Sequence, residues 1–258
     1  MNKTTGPRKT FSNRIFPRLL RRDDQAPERY HQWFYNNKIW SRTKWMGIDT
    51  WKSPSDMWNY QEILSELQPS LIVEFGTNRG GSTLFFAMVM RQIGRPFRVL
   101  SVDVDQSIVS DAVRRDPAIE LLQCSSSDPA TAVAVGKLKL SSPGGIFAIL
   151  DSDHAREHVL EEMKLLRPLL SAGDYLIVED SNINGHPVAP LWGPGPHEAI
   201  DDYFRMFPDD YMHDLERERK FGVYLRTRRI SCPQILTCTR RPECAPVYSV
   251  AGHSITKR

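Results

Sequence analysis

The chain has 258 residues, 40% of them hydrophobic, with 34 Lys/Arg against 31 Asp/Glu, enough for one α/β domain with a full core. No apolar run is long enough to cross a bilayer, which excludes a helical membrane-spanning protein and leaves a soluble or peripheral one. The net charge of +3 is uneven: residues 1–22 and 226–258 each carry seven Lys/Arg, with Glu243 their one acid, so the body between holds 20 basic against 30 acidic residues. An acidic body argues against nucleic acid as a partner.

Three segments follow: a basic leader over 1–27, a body over 28–225 whose first part, 28–68, is an aromatic-rich helical cap, and a basic, irregular tail over 226–258. In the leader, Phe11, Ile15, Leu19 and Leu20 recur at near-helical spacing among Arg14, Arg18, Arg21 and Arg22. That pattern suits a helix lying on an anionic membrane surface, although Pro17 interrupts it, and a plain basic leader fits equally well. Cys124 stands alone, and Cys232, Cys238 and Cys244 match no zinc spacing and no disulfide framework. A reducing, cytoplasmic compartment is the simpler reading, with peripheral contact at the inner membrane face as its extension.

Five of the six tryptophans fall between Glu28 and Tyr60, with Tyr30, Phe34, Tyr35 and Tyr60. Flat rings with a polar edge suit a groove for a sugar or a phenolic ring; any single one of them serves more readily as core. Ser55–Leu67 reads as a helix capped at Ser53 or Ser55 and stopped by Pro69.

From Leu71 the chain alternates between strands and helices. Leu71–Phe75, Arg98–Val104, Ile119–Gln123, Ile146–Leu150 and Asp174–Val178 are strands, separated by helices such as Ser82–Ile93 and Ala155–Leu170. Strands apolar throughout and spaced by helices indicate a mostly parallel sheet covered on both faces. Tyr211–Asp214 and Phe221–Leu225 would complete seven strands as an antiparallel hairpin. Ser181–Pro196, rich in Asn, Gly and Pro, reads as a loop able to cover a site.

The central stretch is Leu71-Ile-Val-Glu-Phe-Gly-Thr-Asn-Arg-Gly-Gly-Ser82. A strand that turns on glycine into a helix leaves backbone N–H groups facing a ligand. Gly76 and Gly80, flanking Thr77 and followed by Ser82, would let the backbone approach that ligand. Glu74 could accept from an amino group or a ribose. The E-x-G-x-x-x-G-x-S spacing is not G-x-G-x-x-G, which disfavours a nicotinamide oxidoreductase.

Ligands of open α/β sheets sit at the carboxyl ends of the strands. There Asp103 is placed for ribose hydroxyls, or else to cap a helix. Ser125, Ser126 and Asp128 could meet an adenine edge, although Asp128 before Pro129 could equally be a cap. Leu150-Asp151-Ser152-Asp153-His154 and Val178-Glu179-Asp180 put carboxylates at two strand ends. Asp151, Glu179 and Asp180 suit a hard cation such as Mg²⁺, and His154 a nearby general base. Asp153 reads as a cap or as a group supporting the metal ligands; zinc and iron fit these acid-rich surroundings less well.

The glycine motif, the L-D-S-D-H and V-E-D-S-N-I-N-G-H-P runs, and W-K-S-P-S-D-M-W-N-Y-Q-E-I-L-S-E-L-Q-P-S resemble the rhamnosyl O-methyltransferases of mycobacterial phenolic glycolipid synthesis. These belong to the wider cephalosporin hydroxylase-like methyltransferase family. The resemblance spans roughly Glu28 to Gly222; residues 226–258 depart from it. It implies a Rossmann-like class I methyltransferase fold, S-adenosylmethionine as methyl donor, and a divalent metal at Asp151, Glu179 and Asp180. It also implies His154 as base and a rhamnosyl 2-hydroxyl, on a phenolic glycolipid or a p-hydroxybenzoate derivative, as acceptor. Another glycosylated lipid or natural product, a glycopeptidolipid for example, is the alternative acceptor. A non-catalytic sugar- or lipid-binding module would keep the aromatics without needing the acids. The oligomeric state stays open, a homo-oligomer included.

Overall fold

The computed structural model describes residues 25–221 and 236–240. The Lys9–Arg22 pattern and the rest of the basic tail lie outside the described residues. The chain opens with helix α1 (Ala26–Asn36), a 3₁₀ turn (Trp40–Arg42) and two short antiparallel strands, β1 (Lys44–Trp45) and β2 (Ile48–Asp49). Helix α2 (Pro54–Leu67) follows, with proline at its first position and Gln68 left-handed at its end. The alternating part comprises β3 (Leu71–Phe75), α3 (Gly81–Ile93), β4 (Arg98–Asp103), α4 (Asp111–Arg114), β5 (Ile119–Gln123) and α5 (Pro129–Ser141). It continues through β6 (Ile146–Leu150), α6 (Arg156–Leu166), β7 (Tyr175–Val178), α7 (Pro196–Met206), β8 (Tyr211–His213), α8 (Leu215–Arg219) and β9 (Leu236–Arg240).

The main sheet has the order β5-β4-β3-β6-β7-β9-β8; its first five strands are parallel, while β9 runs antiparallel to both β7 and β8. Seven strands, mostly parallel, is the expected sheet, but one of them comes from elsewhere in the chain. The seventh strand of the described sheet is Leu236–Arg240, from the segment read as an irregular tail. Helix α8 occupies most of the stretch read as a hairpin link, and residues 222–225 lie outside the described residues. L-T-C-T-R carries β-branched and polar residues without an apolar run, so it shows little strand pattern in sequence. Its backbone pairs on both sides, and that pairing decides.

Each central strand is buried on both faces, which explains its unbroken apolar run. Val73, Phe75, Leu100, Leu150 and Val178 face α5, α6 and α7, where they meet Val135, Met163, Leu166 and Tyr203. Ile72, Val99, Phe147, Ile149 and Ile177 face α2 and α3, where they meet Tyr60, Ile63, Phe86 and Met90. The chain runs from β3 outward to β5 and then returns to β6 on the other side of β3. That reversal opens a crevice between the carboxyl ends of β3 and β6.

Candidate active site

Beyond the strands the ladder continues by one residue. Gly76 N–H donates to Val102 O at 2.8 Å, Asp151 N–H to Phe75 O at 2.8 Å and Glu179 N–H to Leu150 O at 3.0 Å. These bonds set the glycine turn and the acids in one row along the sheet edge. Above the row lies a cavity of about 960 Å³, lined by Gly76, Thr77, Ser82, Asp103, Ser126, Asp151, His154 and Asp180 among others.

The glycines of the turn make room for the protein itself. A Cβ on Gly76, whose φ is +98°, would lie 1.9 Å from the Asp151 carbonyl oxygen. One on Gly80, with φ +84°, would meet Val113 Cγ2 at 2.8 Å. Gly80 caps α3 and is not part of the cavity wall. Glu74 also stands behind the wall. Strand alternation sends it to the α3 face, where it is fully buried and accepts from Ser82 Oγ at 2.5 Å, from Ser101 Oγ at 2.7 Å and from Thr83 Oγ1. Burial raises its carboxyl pKa and the three hydroxyls oppose the shift. It anchors the turn from beneath, where the sequence suggested direct contact with an amino or ribose group.

Asp103 does line the cavity. Its Oδ2 accepts from Asn78 N–H at 2.8 Å and its Oδ1 from Asp105 N–H at 3.1 Å, which leaves lone pairs for a diol. Thr77 Oγ1 lies 2.8 Å from Ser101 Oγ and accepts from Gln106 Nε2 at 3.0 Å. Ser126 Oγ is 3.1 Å from Ser152 Oγ and 2.9 Å from His158 Nε2. Asp128 caps α5, accepting from Ala130 N–H at 2.8 Å. Asp153, read as a cap, instead accepts from Ala155 N–H at 2.8 Å in the turn ahead of α6, whose N-cap position is Ala155.

Asp151, His154 and Asp180 each offer a ligand atom within 4.8 Å of the others. His154 Nε2 is 3.1 Å from Asp180 Oδ2, and its ring is 6.2 Å from that of Trp192. Asp180 adopts a left-handed φ of +52°, a turn at the end of β7 that separates its direction from that of Glu179. Glu179 is outside this trio. It shares the β7 face of Ile177, on the α2 side, where it accepts from Tyr60 Oη at 2.5 Å and pairs with Lys52 Nζ at 2.8 Å. Lys52, 2% exposed, also pairs with Asp151. Burial and Asp151 push the Glu179 carboxyl up to about 7, against the pull of Lys52. Burial works against the Lys52 charge, but Asp151 and Glu179 outweigh it and raise its pKa.

Lys52, Tyr60, Tyr35 and His158 were not singled out as site residues from sequence. Tyr35 Oη donates to Asp180 Oδ1 at 3.1 Å across 145 residues of chain. Lys52 and Tyr60 lie within the W-K-S-P…N-Y-Q-E block that carried the resemblance, which was the one available signal. The aromatic cap divides in function: Tyr35, Trp40 and Trp51 line the cavity, Trp45 packs edge-on against Phe85, and Trp33 and Trp58 are exposed.

Glycine turn, diol-ready acid and oxygen-rich cluster, on a sheet of this order, define a class I methyltransferase fold. A sequence model for "Rhamnosyl O-methyltransferase/CmcI" matches residues 37–228, and the chain belongs to that family. A rhamnosyl O-methyltransferase of Mycobacterium tuberculosis (strain ATCC 25618 / H37Rv) is 62% identical over 213 residues, 83% of this chain and 86% of that protein. One of Mycobacterium leprae (strain TN) is 57% identical over 209 residues, 81% of this chain and 91% of the other. A solved Mg-SAM structure of CmcI is similar at 26% identity and a TM-score of 0.54, covering 69% of this chain and 72% of that one.

Proposed function

We propose that the chain transfers the methyl group of S-adenosylmethionine to a hydroxyl of a rhamnosyl residue, the 2-hydroxyl of a phenolic glycolipid or p-hydroxybenzoate derivative. The carrying observation is the convergence of Asp151, His154 and Asp180 beside the glycine turn on one cavity. Gly76, Thr77, Ser82, Asp103 and Ser126 line the donor's part of that cavity, with Glu74 and Gly80 holding the turn behind them. Asp151 and Asp180, with His154 beside them, converge closely enough to hold a divalent cation, and Glu179, on the α2 side of the same row, would join them as the third acid. So oxygen-rich a set suits Mg²⁺. Such a cation would supply Lewis-acid polarisation of a sugar oxygen.

The rest belongs to this chain's own groups. As the bond between the sugar oxygen and the methyl carbon forms, the sulfonium–carbon bond breaks and leaves a thioether. The hydroxyl proton passes to His154, and Asp180 at 3.1 Å stabilises the resulting imidazolium. Tyr35, Trp40, Trp51 and Trp192 cover the sugar and hold it in line with the donor. The relatives' activity and the Mg-SAM structure of CmcI support this reading. Among the described residues no helix is long and apolar enough to cross a membrane. Contact of the basic leader with a lipid surface remains part of the proposal, as a way of meeting a lipid-linked substrate.

The test is methyl transfer to a panel of rhamnosylated phenolic acceptors, with NMR of the product to locate the methyl group. Exhaustive chelation is expected to abolish turnover, and Mg²⁺ to restore it. Full activity in EDTA would remove the metal. His154→Ala should lower kcat by about 10²–10⁴-fold while S-adenosylhomocysteine affinity stays unchanged; unaltered turnover would remove the base.

A further inference from the structure

Lys52 is the feature of the site that the reaction as drawn does not use. Its residue is 2% exposed, its Nζ lies 2.8 Å from Glu179 Oε1, and it forms a second ion pair with Asp151. The backbone holds it firmly: Trp51 before it has φ +55°, and Ser53–Pro54 after it start α2. A buried ammonium is costly to desolvate, and a fold seeking stability alone does better with an apolar side chain of similar volume. Tyr60, from the next turns of α2, fixes the same Glu179 oxygen from another side. Segment and helix start together clamp two of the three acids.

We infer that Lys52 is a positioning residue that fixes Asp151 and Glu179 and cancels part of the acid cluster's charge, so that a bound divalent cation keeps attraction for substrate oxygens. This rests on the metal reading above. A bound cation favours the ionised acids, and Asp151, Glu179 and Asp180 would then carry three negative charges while Lys52 returns one. A divalent cation then meets a matching charge. Without Lys52 the acids would over-neutralise it, and a sugar oxygen gathering negative charge would find less stabilisation. Removing a like charge a few ångströms from a cation strengthens its binding more than a rotamer change weakens it.

The experiment is isothermal titration of the full-length chain with MgCl₂, beside steady-state methyl transfer, for the unaltered protein, Lys52→Met, Lys52→Arg, Glu179→Gln and the Lys52→Met/Glu179→Gln pair. Lys52→Met should bind Mg²⁺ at least about tenfold more tightly and yet turn over more slowly, a split that a purely structural role would not produce. Lys52→Arg, which keeps the charge, should hold its Mg²⁺ Kd within about threefold of the unaltered chain. If Lys52→Met does not fold, the double variant carries the comparison, with Mg²⁺ at least about tenfold tighter than for Glu179→Gln. Unchanged or weaker Mg²⁺ binding in folded Lys52→Met, or in the double variant relative to Glu179→Gln, would overturn the inference. Absence of Mg²⁺ binding by the unaltered chain would overturn the metal reading itself.

Discussion

Gly76 shows how a motif residue can serve the fold before it serves a ligand. Its absent Cβ is what lets the β3–α3 turn lie against the Asp151 carbonyl, so the glycine sets the distance between donor turn and acid cluster. Gly76→Ala adds a clash of 1.9 Å to a φ of +98°. The expected loss is on the order of 3 kcal/mol or more, read as a fall in the urea midpoint, with weaker S-adenosylhomocysteine binding in whatever stays folded. His31 acts through protonation. It is buried on α1, its Nε2 lies 2.8 Å from Asn182 Nδ2, and burial pushes its pKa from 6.5 down to about 4. A folded pKa below the unfolded one means that the fold prefers the neutral ring. Its contribution is complete above the unfolded value and is lost as pH falls toward the folded one. Stability should drop by roughly 2 kcal/mol between pH 7 and pH 5 through this residue. Urea unfolding at the two pH values checks this, and His31→Gln should show a shallower dependence.

At the scale of elements, strand alternation explains most of what the sequence reading misplaced. Glu74 and Glu179 were both read as facing the ligand from strand ends, as Asp151 does. Period-two geometry sends Glu74 under α3 and turns Glu179 toward Lys52, which also reaches Asp151. The pattern was legible; which helix would cover which face was not. The cap behaves similarly. Aromatic density marked it as a unit, but only packing separates Trp40, edge-on to Trp51 at 5.7 Å in the cavity wall, from Trp33, 52% exposed on α1. Trp40→Ala should raise the KM for a rhamnosylated acceptor by about three- to tenfold, with S-adenosylhomocysteine affinity unmoved. Trp33→Ala should stay within about twofold in both measurements.

Across the whole molecule, β9 joins the parallel part of the sheet to β8 by pairing with β7 on one side and β8 on the other. A chain ended at Phe221 would uncover the β7 edge and strand β8. It is expected to lose cooperative thermal unfolding and to aggregate, as scattering during a melt would show. Retention of a cooperative melt would mean that the parallel strands suffice by themselves.

By itself the sequence determined the α/β class, the limits of the five parallel strands to within one residue, the glycine turn and the acids at strand ends. Each of these follows from local periodicity, turn chemistry and the rule that ligands sit at carboxyl ends. The source of the closing strand, the burial of Glu74 and the grip of Lys52 on Asp151, 99 residues away, were decided by the tertiary structure. Such contacts depend on which faces meet across long chain separations, and no local pattern encodes that. Tyr35 reaching Asp180 is the same case: a tyrosine of the cap and an acid 145 residues away, made one site by the packing of the cap over the sheet edge.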